Sequence, residues 1–180
     1  MTDDAALLGR RVLHQGEELE ITLDTIRLPN GHELDLEQVH HPGASAVVPF
    51  VSPDEVLLVR QYRWAVSRFI YEVPAGKLRP GEHPVDCAAR ELAEEVGRRA
   101  GRLDHLGTIW TTPGFSDETI DLFAAHDLVE VPDAHEPDEV IEVVRMPLSK
   151  VLDLAQTGGV RDAKTLCALL HVVLRARPDR

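Results

Sequence analysis

The chain has 180 residues, of which 43% are hydrophobic and 28% charged, and a formal net charge of −12. That length suits one domain with a sizeable core, or a core plus a small appendage, and the composition is that of an ordinary globular protein. The acidic balance excludes nonspecific binding to nucleic acid or to an anionic membrane surface, which call for basic patches, so an anionic substrate would need metal to bridge it to the chain.

Cys87 and Cys167 lie far apart and show no C-x2-C spacing, which favours reduced thiols in a cytoplasmic setting. The N-terminal run MTDDAALLGRR has no apolar signal region, and no apolar stretch reaches membrane-spanning length. The expectation is a cytoplasmic protein without nucleic-acid or membrane partners.

Residues 1–42 read as a β segment. Leu19, Ile21 and Leu23 alternate with Glu20, Thr22 and Asp24; Pro29-Asn30-Gly31 marks a turn, and a second alternating run passes through Leu34 and Leu36. Such a hairpin needs something to pack on, either its own domain or a partner chain. Apolar strands follow at Ala46 to Val51 and Val56 to Val59, split by the turn Ser52-Pro53-Asp54, and a short strand runs from Ile70 to Val73.

Next comes GKLRPGEHPVDCAARELAEEVG, from Gly76 to Gly97. Pro84 suits a first helical turn and Gly97 a C-terminal cap. At about 100° per residue, Val85, Ala89, Leu92 and Val96 form one apolar stripe, with Glu91, Glu94 and Glu95 opposite. Those acids stand at i, i+3 and i+4, where like charges cost a helix a few tenths of a kcal/mol per pair, roughly. A hard divalent cation held by oxygen ligands would offset that cost. Arg90 reaches Glu94 at i+4 and reads as the partner that orients the glutamates.

Strands are then expected at Leu103 to Trp110, Thr119 to Ala125 and Val140 to Met146. A short helix should run from Leu148 to Ala155. A final helix is expected from about Ala163 to Ala176, with Asp162 as N-cap and Leu166, Leu169, Leu170 and Val173 as its apolar stripe. Elements in this order suggest an α/β fold, a sheet covered by helices on both faces. His40, His41 and His83 share no metal-ligand spacing and read as loop residues.

The Gly76–Gly97 segment resembles the Nudix box, G-x5-E-x7-R-E-U-x-E-E-x-G-U, with U a bulky aliphatic residue. Gly76, Glu82, Arg90, Glu91, Leu92, Glu94, Glu95 and Gly97 match at the required spacing. Arg98 departs, standing where an aliphatic residue is usual. Three further stretches resemble the ADP-ribose pyrophosphatase branch. They are Leu58-Val59-Arg60-Gln61-Tyr62-Arg63 with Glu72-Val73-Pro74-Ala75-Gly76-Lys77-Leu78, the loop Thr112-Pro113-Gly114-Phe115-Ser116-Asp117-Glu118, and the acidic loop Glu136-Pro137-Asp138-Glu139-Val140-Ile141-Glu142. Taken singly, each has a plainer explanation: a solvated acidic helix face, a simple turn at Pro113-Gly114, a surface cation at Arg63, a solvated acidic turn. Together and in order they point to the family.

The resemblance implies an α/β/α sandwich with a mixed sheet in a Nudix domain over residues 43–180. It also implies an N-terminal β segment that commonly exchanges between the subunits of a homodimer. The implied activity is Mg²⁺-dependent hydrolysis of ADP-ribose to AMP and ribose 5-phosphate, with Mn²⁺ as a possible substitute. Glu91 and Glu95, one turn apart, are the candidate principal ligands, Glu94 sharing a metal; the family pattern adds the Ala75 carbonyl and, through water, Glu82. Gly76, Arg90 and Gly97 are structural in the motif. Alignment with the acidic loop points to Glu139 as general base, with Glu136 as second choice. Arg63 would meet a phosphate or the terminal ribose, Glu72 the adenine side and Glu118 the diphosphate region. Two alternatives stand beside this: another nucleotide sugar such as GDP-mannose, or a nucleotide-binding regulator that does not cleave.

Overall fold

Val47 and Val48 are neighbours on one strand and both are fully buried, although a strand turns successive side chains to opposite faces. The sheet that carries them is therefore covered on both sides. The structure, a computed structural model, describes residues 5–17, 19–132 and 140–176. It contains two compact units, one drawn from Met1–Gly43 and Trp110–Thr119, the other from Ala44–Ile109 and Ile120–Arg180.

The first unit holds a three-stranded antiparallel sheet in the order β1 (Ala6–Gln15), β2 (Glu20–Arg27), β3 (Glu33–His40). The β2–β3 hairpin forms where the alternation predicts it. Leu28 N–H donates to His32 O and Gly31 N–H to Leu28 O (both 2.8 Å), with Gly31 at a φ of 85° that favours glycine. Strand β1 lies within the expected β segment but outside its alternating runs, because its apolar residues come as adjacent pairs, Leu7-Leu8 and Val12-Leu13. Register shifts between Leu7 and Gly9 and between Val12 and His14 account for that pattern.

The burial of β2 is the reverse of the expected one: Thr22 and Asp24 are buried, Ile21 and Leu23 only partly so. The polar side chains tolerate this because each has a partner. Arg10 grips Asp24 through Nε (2.8 Å) and Nη2 (2.5 Å), and Thr22 Oγ1 bonds His40 Nε2 at 3.1 Å. The Trp110–Thr119 segment is fastened to the end of β3. Val39 N–H donates to Phe115 O (2.8 Å), His40 Nδ1 meets Asp117 Oδ2 (2.6 Å), and His41 N–H donates to Asp117 Oδ1 (2.9 Å).

In the second unit, β4 (Ala44–Ser52) and β5 (Glu55–Arg63) are followed by a 3₁₀ turn, Trp64–Val66, and by β6 (Arg68–Glu72) and β7 (Ala75–Lys77). Helix α1 (Pro84–Val96) leads to β8 (Arg98–Trp110), β9 (Thr119–Glu130) and β10 (Ile141–Pro147), then to α2 (Leu148–Thr157) and α3 (Ala163–Arg175). The strands order as β10-β5-β4-β9-β8, with β6 on β5 and β7 on β4. The sheet is mixed, since β4 and β9 are parallel while β4–β5, β5–β6, β4–β7 and β5–β10 are antiparallel.

Alternate residues sort the core into two layers. Ala46, Val48, Val56, Leu58, Leu122 and Ala124 pack with Val151 of α2 and Ala168 and Leu169 of α3. Val47, Leu57, Val59, Phe123 and Ala125 pack with Ala88, Leu92 and Val96 of α1. This is the expected sheet with helices on both faces. Among the described residues no helix is long and apolar enough to cross a membrane.

Two helix faces differ from the periodicity reading. Val85 and Ala89 of α1 are exposed, and the buried row is Cys87, Ala88, Glu91, Leu92, Glu95 and Val96. On α3, Leu170 is exposed and the buried residues are Thr165, Ala168 and Leu169.

Arg10 holds the Asp24 carboxyl below its ordinary 3.8, outweighing burial, which acts the other way. Because the folded value is the lower one, the pair's contribution is complete above pH 3.8 and fades as pH falls through the folded value. Asp24→Asn is therefore expected to lower Tm at neutral pH, with the gap to wild type closing below pH 3.8. Thermal melts across that range check it, and a gap constant with pH contradicts it.

Candidate active site

Helix α1 begins at Pro84, whose missing N–H costs nothing in a first turn, and ends at Gly97, in the left-handed region at φ 62°. The Gly97 N–H donates back to Ala93 O at 3.1 Å. Arg98, the departure from the motif, bonds Gly97 O and Glu130 Oε1, each at 2.9 Å, so the position is filled by a cation that closes the helix end. Between these ends, the flank carrying Glu91 and Glu95 lies against β4 and β7 rather than facing solvent.

Gly76 makes room for that packing. A Cβ built there would stand 1.9 Å from Glu91 Oε1 and 2.1 Å from its Cδ. One residue earlier, Ala75 N–H donates to Glu95 Oε2 at 3.1 Å. Ala75, Gly76, Glu91 and Glu95 thus form one cluster.

Arg90 organises the remaining carboxylates. Its Nε and Nη2 reach the two oxygens of Glu82 at 2.8 and 2.9 Å, Nη1 contacts Glu91 Oε1 and Glu94 Oε2 (the latter at 2.9 Å), and Nη2 also meets Lys77 O at 3.0 Å. The repulsion between Glu91 and Glu94 is thereby offset by a guanidinium within the protein. Bonded by Arg90 and by Arg79 N–H (2.9 Å), Glu82 is held down to about 2, and the same pairing raises Arg90. Arg79 Nη2 adds a longer contact to Glu94 at 3.4 Å. Cys87, under Gly76 O at 3.4 Å, is pushed up to about 11 by burial and by the Glu91 charge, an inert thiol.

A second charged cluster lies at the end of β6. Glu72 is 1% exposed and receives Arg63 Nε (2.7 Å) and Nη2 (2.9 Å) on its two oxygens, with Lys164 Nζ on Oε2 as well. Lys164 also meets Asp162 Oδ1 at 2.9 Å. Burial alone would raise the Glu72 carboxyl; the two cations outweigh it and leave it lowered. With both oxygens engaged, a direct contact from Glu72 to a base would have to displace a cation. Lys164 was missed because it sits in no motif, yet a lysine one residue after a helix start opposes the helix dipole, and that anomaly is visible in the sequence.

Glu118 belongs to the first unit, where it accepts from Thr111 Oγ1 at 2.6 Å and faces His41 Nε2 at 3.5 Å. Glu136 and Glu139 lie outside the described residues.

Glu91, Glu94 and Glu95 with the Ala75 carbonyl make an all-oxygen donor set, which suits a hard divalent cation. Among the described residues no three His, Cys, Asp or Glu side chains are gathered into a metal cage as they stand. Glu91 and Glu94 face Arg90 and Glu95 faces Ala75, but each ionised carboxylate offers about four lone-pair sites. The donor chemistry fits.

Residues 39–169 match the family described as the NUDIX domain. The chain belongs to the Nudix family. It is 35% identical to the ADP-ribose pyrophosphatase of Bacillus subtilis (strain 168) over 93% of this chain and 92% of that protein. It is 34% identical to the methanol dehydrogenase activator of Bacillus methanolicus, covering 91% and 89% of the two chains. It is 33% identical to the ADP-ribose pyrophosphatase of Mycobacterium tuberculosis (strain ATCC 25618 / H37Rv), covering 94% and 83%. A crystal structure of an ADP compounds hydrolase superposes with a TM-score of 0.82 at 25% identity, over 95% of this chain and 93% of that one.

Gly76→Ala tests the cluster. The added methyl must displace the Glu91 carboxylate, and a misplacement of about 1 Å at a reacting centre can cost about 10²-fold in rate. Turnover is expected to fall by that order while the protein stays folded by circular dichroism. Wild-type turnover in the variant would show that the Gly76–Glu91 contact is dispensable.

Proposed function

We propose that this Nudix enzyme hydrolyses the diphosphate of ADP-ribose to AMP and ribose 5-phosphate, with Mg²⁺ as the working cofactor and Mn²⁺ able to replace it. The observation that carries the reading is the Ala75–Gly76–Glu91–Glu95 cluster with Arg90 behind it, in a chain alignable over nearly its whole length with two ADP-ribose pyrophosphatases.

Water bonds to one phosphorus, the bridging P–O bond breaks, and a proton is released between the products. Glu91 and Glu95, with Glu94 and the Ala75 carbonyl, would hold the divalent cation, which when bound supplies charge neutralisation for the diphosphate and a polarised water. Arg90 fixes the side-chain orientations of Glu91 and Glu94 through direct contacts, and Gly76 leaves space for Glu91. Glu139 takes the water's proton, with Glu136 as the second choice. Arg63, half-exposed, meets an anionic part of the substrate, and Glu72 acts on substrate through Arg63.

Glu95→Gln is expected to abolish nearly all turnover. Glu139→Gln should lower it by about 10²–10⁴-fold, as loss of a positioned base does, and leave metal affinity unchanged. Steady-state rates with ADP-ribose and titrations with Mn²⁺ measure both. Wild-type turnover in Glu139→Gln alongside a collapse in Glu136→Gln would reassign the base. A panel of nucleoside diphosphate derivatives with and without Mg²⁺, products identified by mass, tests the substrate: equal cleavage across the panel, GDP-mannose included, defeats the ADP-ribose assignment.

The protein is further proposed to act in the cytoplasm as a homodimer joined through its N-terminal sheet. Support comes from β1, whose Leu7, Leu8, Val12 and Leu13 are all exposed, an uncommon load of apolar surface on one strand. Light scattering should give twice the chain mass for wild type and the chain mass for the double variant Leu7→Glu, Val12→Glu. A monomeric wild type contradicts the dimer.

A further inference from the structure

We propose that Lys164 is a positioning residue: it locks the buried Glu72 carboxylate and, through it, the orientation in which Arg63 presents its guanidinium to an anionic part of the substrate. This rests on the diphosphate reading above.

The three side chains differ sharply in exposure. Glu72 is 1% exposed, Lys164 13% and Arg63 42%, so only Arg63 is placed to meet a ligand. Its Nε and Nη2 lie side-on against Glu72, and the planar fork then directs the Nη1 edge away from that carboxylate. The direction of that edge is set by the torsion of the Glu72 carboxylate. Lys164 Nζ holds the same Oε2 that Arg63 Nη2 uses, so a second donor helps to fix that torsion.

Lys164 is itself held by Asp162, and Asp162 caps α3 through Thr165 N–H (2.9 Å) and Thr165 Oγ1 (2.6 Å). Thr165 Oγ1 also accepts from Val73 N–H at 2.9 Å, so the start of α3 grips the chain at two successive residues, Glu72 and Val73. Ala75, which bonds Glu95, comes two residues later. A cation in the first turn of α3 opposes the helix dipole, and the two carboxylates compensate it. Electrostatically, a second cation on Glu72 leaves more of the Arg63 charge available to an incoming anion.

A double-mutant cycle on the full chain tests this. Lys164→Met is expected to raise KM for ADP-ribose about tenfold, the scale of one charge-assisted hydrogen bond. Its kcat should stay within about twofold of wild type. In an Arg63→Ala background the same change should add nothing, because Lys164 acts only through Arg63. Lys164→Gln, which keeps a donor without the charge, should fall between wild type and Lys164→Met, and it replaces the latter in the cycle if that variant does not fold. NMR of the Arg63 Nε–H gives a readout independent of turnover: a slowly exchanging signal in wild type, fast exchange in the Lys164 variant. The proposal is overturned if the KM increase is the same in both backgrounds, if kcat falls while KM holds, or if the Arg63 signal is unchanged. Should wild type not cleave ADP-ribose at all, the functional reading fails, and the Arg63 signal alone decides for or against the clamp.

Discussion

A guanidinium carries five N–H donors in a rigid plane, and Arg90 sets them among the carboxylates of Glu82, Glu91 and Glu94 and the carbonyl of Lys77. Without that cation, α1 would lose the charge that compensates two of its acids beside a sheet. Glu91 and Glu94 would repel each other, and Glu91, 8% exposed, would be a buried charge lacking this partner. The loop before the helix depends on the same residue, because Glu82 ties Arg79 N–H to Arg90. One side chain thus holds loop, helix and carboxylates in a single arrangement.

The packing of α1 converts that arrangement into a site. Ala88, Leu92 and Val96 bury against β4, β5 and β9, which turns the neighbouring Glu91 and Glu95 toward Ala75 and Gly76. A Cβ at position 76 would collide with Glu91, so the absence of a side chain there is a steric requirement of the cluster. On the far side of the β6–β7 segment, α3 supplies Lys164 and Thr165 to Glu72 and Val73. The residues that lead into the cluster are therefore gripped by helices from both faces of the sheet.

Much of this architecture was legible in the amino-acid pattern. Apolar runs marked β4 and β5, the order of strands and helices pointed to a sheet covered on both faces, and Pro84 and Gly97 bracketed α1 to the residue. The spacing of Arg90 and Glu94 gave their ion pair, seen at 2.9 Å. What was not legible has physical causes. Bulges broke the alternation of β1, and paired polar groups inverted the burial of β2. The face that α1 turns to the sheet leaves Val85 and Ala89 in solvent and buries two glutamates, which hydrophobic periodicity cannot foresee because it treats every carboxylate as outward-facing. Glu72 and Lys164 meet across 92 positions of chain, and no local spacing encodes that contact.

The most direct measurement is a crystal structure of the protein with Mg²⁺ and a non-hydrolysable ADP-ribose analogue. The account predicts a divalent ion against Glu91 and Glu95 with the analogue's diphosphate beside it. An analogue bound elsewhere, with no ion against those glutamates, would contradict it.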